Sequence, residues 1–471
     1  MSMDPTPQPS HCTEAEFSQA TTLLEQLIDS KSIARELHRD RSANAQQVYT
    51  HAATLFALVL QRLGGGLTLK QTVKRMTDQH VDLMRQDNRR VRTGTLSQNA
   101  SAYDKARRNM PLQRVSAFCD ATAGLLADQA SPPLGRRRVY VVDGTTIALP
   151  STKDLAEHFP TARNQHGSSP WPMMNLLVAH ELESSCCLTP EIGAMYGSKN
   201  AGEVKLFKDL APRIPDDSIV MADAGMGIYA TAHHCRRHGH RFVLGLTAAR
   251  AQSHLKKAEF VGRDDNVESY RYHWQPSAKE RRTHPEIGDG QSIEVMIHRV
   301  ERPDASPIYL VSDLKEDGPV VAALYSRRYD GEFDIRDVKV TMATEDMRAK
   351  SYDTIMKELY GSIIAYNLVV QFRRQAAARR GLPPRRLSFS DTWLDFQHGL
   401  LLKSAVTFAD WQTLYESALE SASRRVLPDR RGKRTCPRVS QRKRPKATKF
   451  EVKNPKQAAG IRKKNLERKL L

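Results

Sequence analysis

After SPPLG at 131–135 and a run of three arginines, the chain reads VYVVDGTTIAL, an apolar segment interrupted by an acid at Asp143. Such a run has the composition of a β-strand buried on both faces. A carboxylate inside it is costly unless it is paired or bound to a cation. Downstream, WPMMNLLVAHEL and SCCLTPEIGAMY read as two more strands of an antiparallel set, AGEVKLFKDLAPRI as a helix, and SIVMA as a short strand ending at Asp223. A helical segment and the strand RFVLGL follow. This alternation confines residues 131–247 to an α/β sheet, with two acids at or beside strand ends, where open α/β sheets commonly place ligand chemistry. Taken alone, Asp223 reads as a turn or cap residue.

The flanking regions differ in period. Residues 1–12 are polar and Pro-rich, without the basic-then-apolar order of a signal peptide, and read as a disordered lead-in. From 13 to 130 the apolar residues recur at helical spacing, broken by GGG at 64–66, which predicts an all-helical N-terminal domain. Lys70, Lys74 and Arg75 on the helix after that break suit a DNA-reading unit, although many helical bundles share the pattern. Between 248 and 319, short alternating segments such as VESYRYHWQ and SIEVMIHRV predict a β-rich insertion. Residues 320–380 return to helix, RRGLPPRR breaks it, and 381–423 form a C-terminal helical region ahead of a basic tail at 424–471.

Charge sharpens the choice of partner. The 471 residues carry a formal charge of +19, and from Arg424 to Leu471 there are 19 Lys and Arg against three Asp and Glu. The tail therefore holds +16 and the body only +3, which points to phosphate contact with a polyanion and needs no fixed fold. The six cysteines, at 12, 119, 186, 187, 235 and 436, form no C-x-x-C pair, and no apolar stretch is long enough to span a membrane. A reducing, cytoplasmic setting is expected. HHCRRHGH at 233–240 lacks a second cluster at ligand spacing and reads as a basic surface helix rather than a zinc site, while Cys186 and Cys187 read as small buried hydrophobes.

One segment concentrates the remaining chemistry. In YSRRYDGEFDIRDVK, 325–339, a helix would bring Tyr325, Arg328, Glu332 and Lys339 into an arc of about 60° at roughly 100° per residue. Arg336 falls in the same arc, and Val321, Leu324, Ile335 and Val338 form an adjoining apolar stripe. Alone, this is a solvated helix with ordinary ion pairs. Beside two strand acids it also suits a metal-binding carboxylate framed by phosphate-binding cations.

The unbroken spacing Y-x2-R-x3-E-x6-K over Tyr325, Arg328, Glu332 and Lys339 resembles the signature of bacterial DDE transposases of insertion sequence family four. VVDGTTI looks like that family's first-aspartate strand, VMADAGMG like its second-aspartate turn, and RRGKRTCPRVSQRKRPK like its basic ending. The resemblance implies a ribonuclease H-like catalytic core with a β-rich insertion between Asp223 and Glu332. It implies that Asp143, Asp223 and Glu332 hold two Mg²⁺ ions, with Mn²⁺ as a substitute, about 3.5–4 Å apart, a spacing suited to in-line phosphoryl transfer. Arg328, Lys339, Tyr325 and Arg336 would then contact the DNA backbone. Trp274 is the candidate aromatic for holding an unstacked base, against its reading as a packed strand residue. The expected partners are double-stranded DNA, as element ends and as target, and a second copy in a homodimer. A nuclease or resolvase on the same core, a catalytically silent DNA-binding repressor and a basic RNA-associated protein are the alternatives, the last leaving the three acids without a use.

Overall fold

The computed structural model describes residues 47–128, 132–164, 167–288, 290–303, 305–402 and 408–428. The lead-in and nearly all of the basic tail lie outside the described residues. The first described helices are α1 (His51–Leu63), α2 (Leu69–Gln79), α3 (Arg89–Arg92), α4 (Ser101–Asn109) and α5 (Leu112–Asp128). Thr50 and Thr68 cap α1 and α2, and Thr68 forms a reciprocal capping box with Gln71 where the glycine run ends.

The centre is a mixed α/β assembly around a ten-stranded sheet. Its first part comprises β1 (Val139–Ala148), α6 (Lys153–His158), β2 (Thr161–Asn164), β3 (Gly167–Glu181), β4 (Glu191–Ala194), α7 (Glu203–Leu210), β5 (Ile219–Ala222), α8 (Tyr229–Arg237) and β6 (Arg241–Leu246). After α9 (Ala248–Leu255) come β7 (Glu259–Asp264), β8 (Val267–Trp274), α10 (Ala278–Thr283), β9 (Ile293–Arg302) and β10 (Ala305–Ser312). The strand order is β2-β3-β1-β5-β6-β10-β9-β8-β7, with β4 paired to the other side of β3. β3 runs antiparallel to β1, whereas β1, β5 and β6 are mutually parallel. The β-rich segment continues this sheet, because β10 pairs antiparallel with β6.

Helices cover both faces, as parallel strands require. The period-2 alternation of β1 sends Tyr140 and Val142 toward α7 and α8, and Val139 and Val141 toward α11 (Gly318–Ser326). The chain continues through α12 (Tyr329–Arg336), α13 (Tyr352–Ala378), α14 (Phe389–Leu402) and α15 (Phe408–Ser423). The 27-residue α13 is buried along most of its length, and Ile355, Leu359 and Ile363 share a core with Leu55 and Leu58 of α1, Phe118 of α5, and Leu176 and Val178 of β3. The N-terminal helices thus pack into the same apolar core as the sheet. Arg62 of α1 and Glu358 of α13, both side chains nearly inaccessible, pair at 2.9 Å across this junction.

The segment 325–339 is not one regular helix. Between α11 and α12 the amides of Arg327 and Arg328 donate to the carbonyls of Leu324 and Tyr325, a tightened i→i−3 turn, and Asp337–Thr341 is a π-helical turn. Over-winding before Glu332 and under-winding after it alter the angular positions that a uniform 100° per residue assigns.

Burial also fixes an acid sensitivity. His180, His234 and His298 are held down to about 4, mainly by burial. Their folded values lie below the unfolded value near 6.5, so the stability they allow is present at neutral pH and is lost as pH falls below that value. Each costs up to about 2 kcal/mol at pH 5. The melting midpoint is expected to fall between pH 7 and pH 5, and a midpoint that holds or rises would contradict this assignment.

Candidate active site

Parallel pairing puts Val142 of β1 opposite Ala222 of β5, and Ala222 opposite Leu244 of β6. The next residues, Asp143, Asp223 and Gly245, therefore stand in a row on adjacent strands spaced about 4.8 Å apart. By strand alternation the two aspartates share the parity of Val141 and Met221, whose side chains join those of α11 in one core cluster. Asp223 is held in a turn in which its Oδ1 accepts from the amides of Gly225 (2.8 Å) and Met226 (3.2 Å). Asp143 Oδ1 accepts from the amide of Gly144 at 2.8 Å.

The helices then bring the other groups over this row. Gly331 of α12 lies against Val141 of β1, where an added Cβ would meet Val141 Cγ1 at 2.6 Å. Arg328 Nη2 donates to Glu332 Oε1 at 2.8 Å, and its Nη1 lies 4.0 Å from Asp143 Oδ2. Since one planar guanidinium spans both carboxylates, their nearer oxygens are at most about 9 Å apart. Tyr325 reaches the row through Gly245, whose Cβ, if present, would stand 2.4 Å from the phenol oxygen. Burial pushes this phenol up to about 12. Lys339, carried by the π-helical turn, donates to Thr145 Oγ1 of β1 at 3.3 Å.

A fourth acid, which the sequence reading did not single out, approaches from the opposite face. Glu203, in the first turn of α7, occupies the space that a side chain on Gly144 would fill, its Oε1 falling 2.0 Å from an ideal Cβ there. Burial raises its carboxyl above the ordinary range, and the charges of Asp223 and Asp143 add to the shift. Asp143 is raised as well, by burial first and by Asp223 and Glu332, against the Gly144 amide and Arg328. An acid opening a helix is usually accounted for by the helix dipole, so AGEVK carries no signal of this contact.

Two expected site residues lie elsewhere. Trp274 is 2% exposed and packs edge-on against Tyr229 and Phe242, with His254 close by. That corrects its reading as a base-holding aromatic: at the end of β8 it faces the core, leaving no ring face for a base. Arg336 sits over the Phe333 ring, 5.1 Å from its centroid, with Asp337 as its acidic neighbour rather than the three acids.

Among the described residues, no three His, Cys, Asp or Glu side chains are gathered closely enough to hold a metal ion. The donor chemistry nonetheless fits a hard divalent cation, because the acids supply only carboxylate oxygens and already draw a cationic group, Arg328, between Asp143 and Glu332. HHCRRHGH falls on α8 and the loop after it, with His234 and Cys235 buried and Arg236 and Arg237 exposed. Cys119, Cys186, Cys187 and Cys235 are buried free thiols. No helix among the described residues is long and apolar enough to cross a membrane.

The chain is 24% identical over 263 residues to the transposase InsG for insertion sequence element IS4 of Escherichia coli (strain K12), covering 54% of this chain and 56% of InsG. It thus spans just over half the length of that curated relative. The piggyBac transposase, solved as a synaptic complex with hairpin DNA, aligns over 88% of this chain and 85% of its own at 13% identity and a TM-score of 0.39. Residues 134–368, half of the chain and containing Asp143, Asp223, Glu332 and Glu203, match the transposase DDE domain, and the chain belongs to the family of DDE transposases, of the IS4 type.

Proposed function

We propose that the protein is a DNA transposase that binds the double-stranded ends of an insertion sequence and catalyses metal-dependent strand cleavage and strand transfer, as a homodimer that pairs two ends. The observation that carries this reading is the row of Asp143 and Asp223 on neighbouring strands, with Arg328 spanning from Asp143 to Glu332 inside the stretch that matches the transposase DDE domain. The antiparallel strands β4, β3 and β1, followed by parallel β5 and β6, support a ribonuclease H-like core.

In this reading Asp143, Asp223 and Glu332 hold two Mg²⁺ ions, or Mn²⁺ in their place. Ions held by these carboxylates would supply Lewis-acid polarisation of a scissile phosphate and make an attacking water or 3′-hydroxyl more acidic. The chain's own residues supply alignment. Arg328, half-buried between two acids, has donors fixed in direction and is suited to gripping a phosphate oxygen bidentately once Glu332 is engaged elsewhere. Lys339, steadied by Thr145, contributes a second phosphate contact, and Arg336 a third at the exposed margin. Tyr325, un-ionised at neutral pH, donates a hydrogen bond rather than acting as a base.

Glu203 orients the Asp143 end of the site. Glu203→Gln is expected to raise the Mg²⁺ concentration needed for half-maximal cleavage by 10- to 100-fold, a range typical of groups that position metal ligands, with DNA affinity unchanged. An unaltered Mg²⁺ requirement would remove Glu203 from the site.

The overall test is a strand-transfer assay with purified protein, Mg²⁺ and a labelled duplex carrying the element's terminal sequence. Cleavage followed by joining is the expected result. Cleavage without joining would make the protein a nuclease, and binding without products a silent DNA-binding protein.

A further inference from the structure

A second basic feature lies at the opposite end of the sheet from the acids. Arg241 opens β6 opposite Ile219 of β5, four residues before Asp223, and so stands about 13 Å from it along the strand. Beside it is an open cleft of about 810 Å³, walled by α8 and by the start of β9. Tyr229, His233, Arg236 and Arg237 recur along α8 at helical spacing and face this cleft together with Arg241. Among the described residues, Glu294 is the acid on its wall.

The arginines are organised rather than merely present. Asp313, its side chain 2% exposed, accepts from Arg236 Nη1 at 2.8 Å, from Arg241 Nη1 at 3.3 Å and from the amide of Phe242 at 2.8 Å. One buried carboxylate thus fixes the guanidiniums of two arginines whose side chains remain 45% and 31% exposed. Arg237 is exposed and pairs with no acid among the described residues. His233 Nε2 is buried and lacks a hydrogen-bond partner. The arrangement has more donors than its own acids satisfy, and the cleft is far larger than a single phosphate requires.

We propose that this cleft binds the phosphodiester backbone of duplex DNA, as a contact separate from the catalytic acids. Arg236 and Arg241 are pre-oriented by Asp313, and Arg237 supplies an uncommitted guanidinium. Such contacts position a duplex without reading its sequence. The choice of DNA as the polyanion rests on the transposase reading.

The test measures binding of the full-length protein to a labelled duplex of arbitrary sequence between about 50 and 200 mM KCl, where each phosphate contact adds about 0.9 to the slope of log affinity against log salt. Arg237→Gln is expected to flatten that slope by about one unit. Lys153→Gln, on α6 and 94% exposed, removes the same charge away from the cleft and is expected to leave the slope unchanged. Equal slopes for wild type and Arg237→Gln, or equal flattening by both variants, would overturn the cleft proposal alone. A wild type with no salt-dependent DNA binding would overturn the transposase reading with it. Melting midpoints of both variants within a degree or so of wild type verify that the fold is retained.

Discussion

Glu332→Gln is expected to leave the protein folded and able to bind DNA but to lower strand cleavage and joining by at least about a thousandfold, the scale of losing a charged group that acts on the reacting phosphate. The substitution keeps the size of the side chain and an oxygen to accept from Arg328, now 2.8 Å away, and removes only the negative charge. With its side chain 46% exposed, Glu332 is not part of the core, so global stability should change little. A structural role predicts the reverse, a lower melting midpoint with turnover nearly intact. Turnover within tenfold of wild type would exclude Glu332 as a metal ligand. Arg328→Lys makes a useful companion: it retains charge but loses the fork that spans two acids, and is expected to cut turnover while Glu332 remains in place.

The largest stability loss is expected two residues further along α12. Asp334 is fully buried and takes a forked contact from Arg385, at 2.7 Å to Oδ2 and 3.3 Å to Oδ1, with Arg373 3.8 Å away. Burial opposes its ionisation, but Arg385, His180 and Arg373 hold the carboxyl below the usual range. Arg373 also lies 3.6 Å from Asp337 in the π-helical turn, so one charged network ties the segment bearing Glu332 and Lys339 to α13 and to Arg385. Asp334→Asn removes the central charge and leaves two arginines, with side chains 3% and 17% exposed, short of a partner. Breaking a buried pair from one side costs about 3–5 kcal/mol. Because the melting entropy grows with chain length, a kcal/mol shifts the midpoint of a cooperative unit approaching 471 residues by only about 1 °C, and the midpoint should fall by about 3–5 °C. A shift under about 2 °C would mean that water reaches the network and that it does not anchor α12.

Several features of this molecule are written in short stretches of sequence. VYVVDGTTIAL forms β1 because an apolar β-branched run has few alternatives to a doubly covered strand, and SIVMADAG ends in a turn because Asp223 can accept from the amides that follow it. Helical period and glycine breaks mark α1 and α2 for the same reason. The arc joining Tyr325 to Lys339 was legible only as a proximity. A uniform helix was expected, whereas the chain over-winds before α12 and under-winds after it, because Gly331 must meet Val141 and Asp334 must meet Arg385.

The assignment of Trp274 failed because an aromatic in a strand looks the same whether its face is packed or open. Its burial is decided by Tyr229 and Phe242, contributed by other elements. Likewise, a β-rich segment gives no sign of which strand it will join, and the pairing of β10 with β6 depends on an exposed edge left by the preceding fold.

By itself, the sequence determined the strand and helix periods and the spacing of Tyr325, Arg328, Glu332 and Lys339, since these depend on local order and residue chemistry. Only the tertiary structure decided that Asp143 and Asp223 stand side by side, that Glu203 enters beside Gly144, that Lys339 meets Thr145 from 194 positions away, and that Asp313 aims two arginines into a cleft. Those contacts depend on strand register and helix packing, which are set by the burial of the whole core and by no single segment.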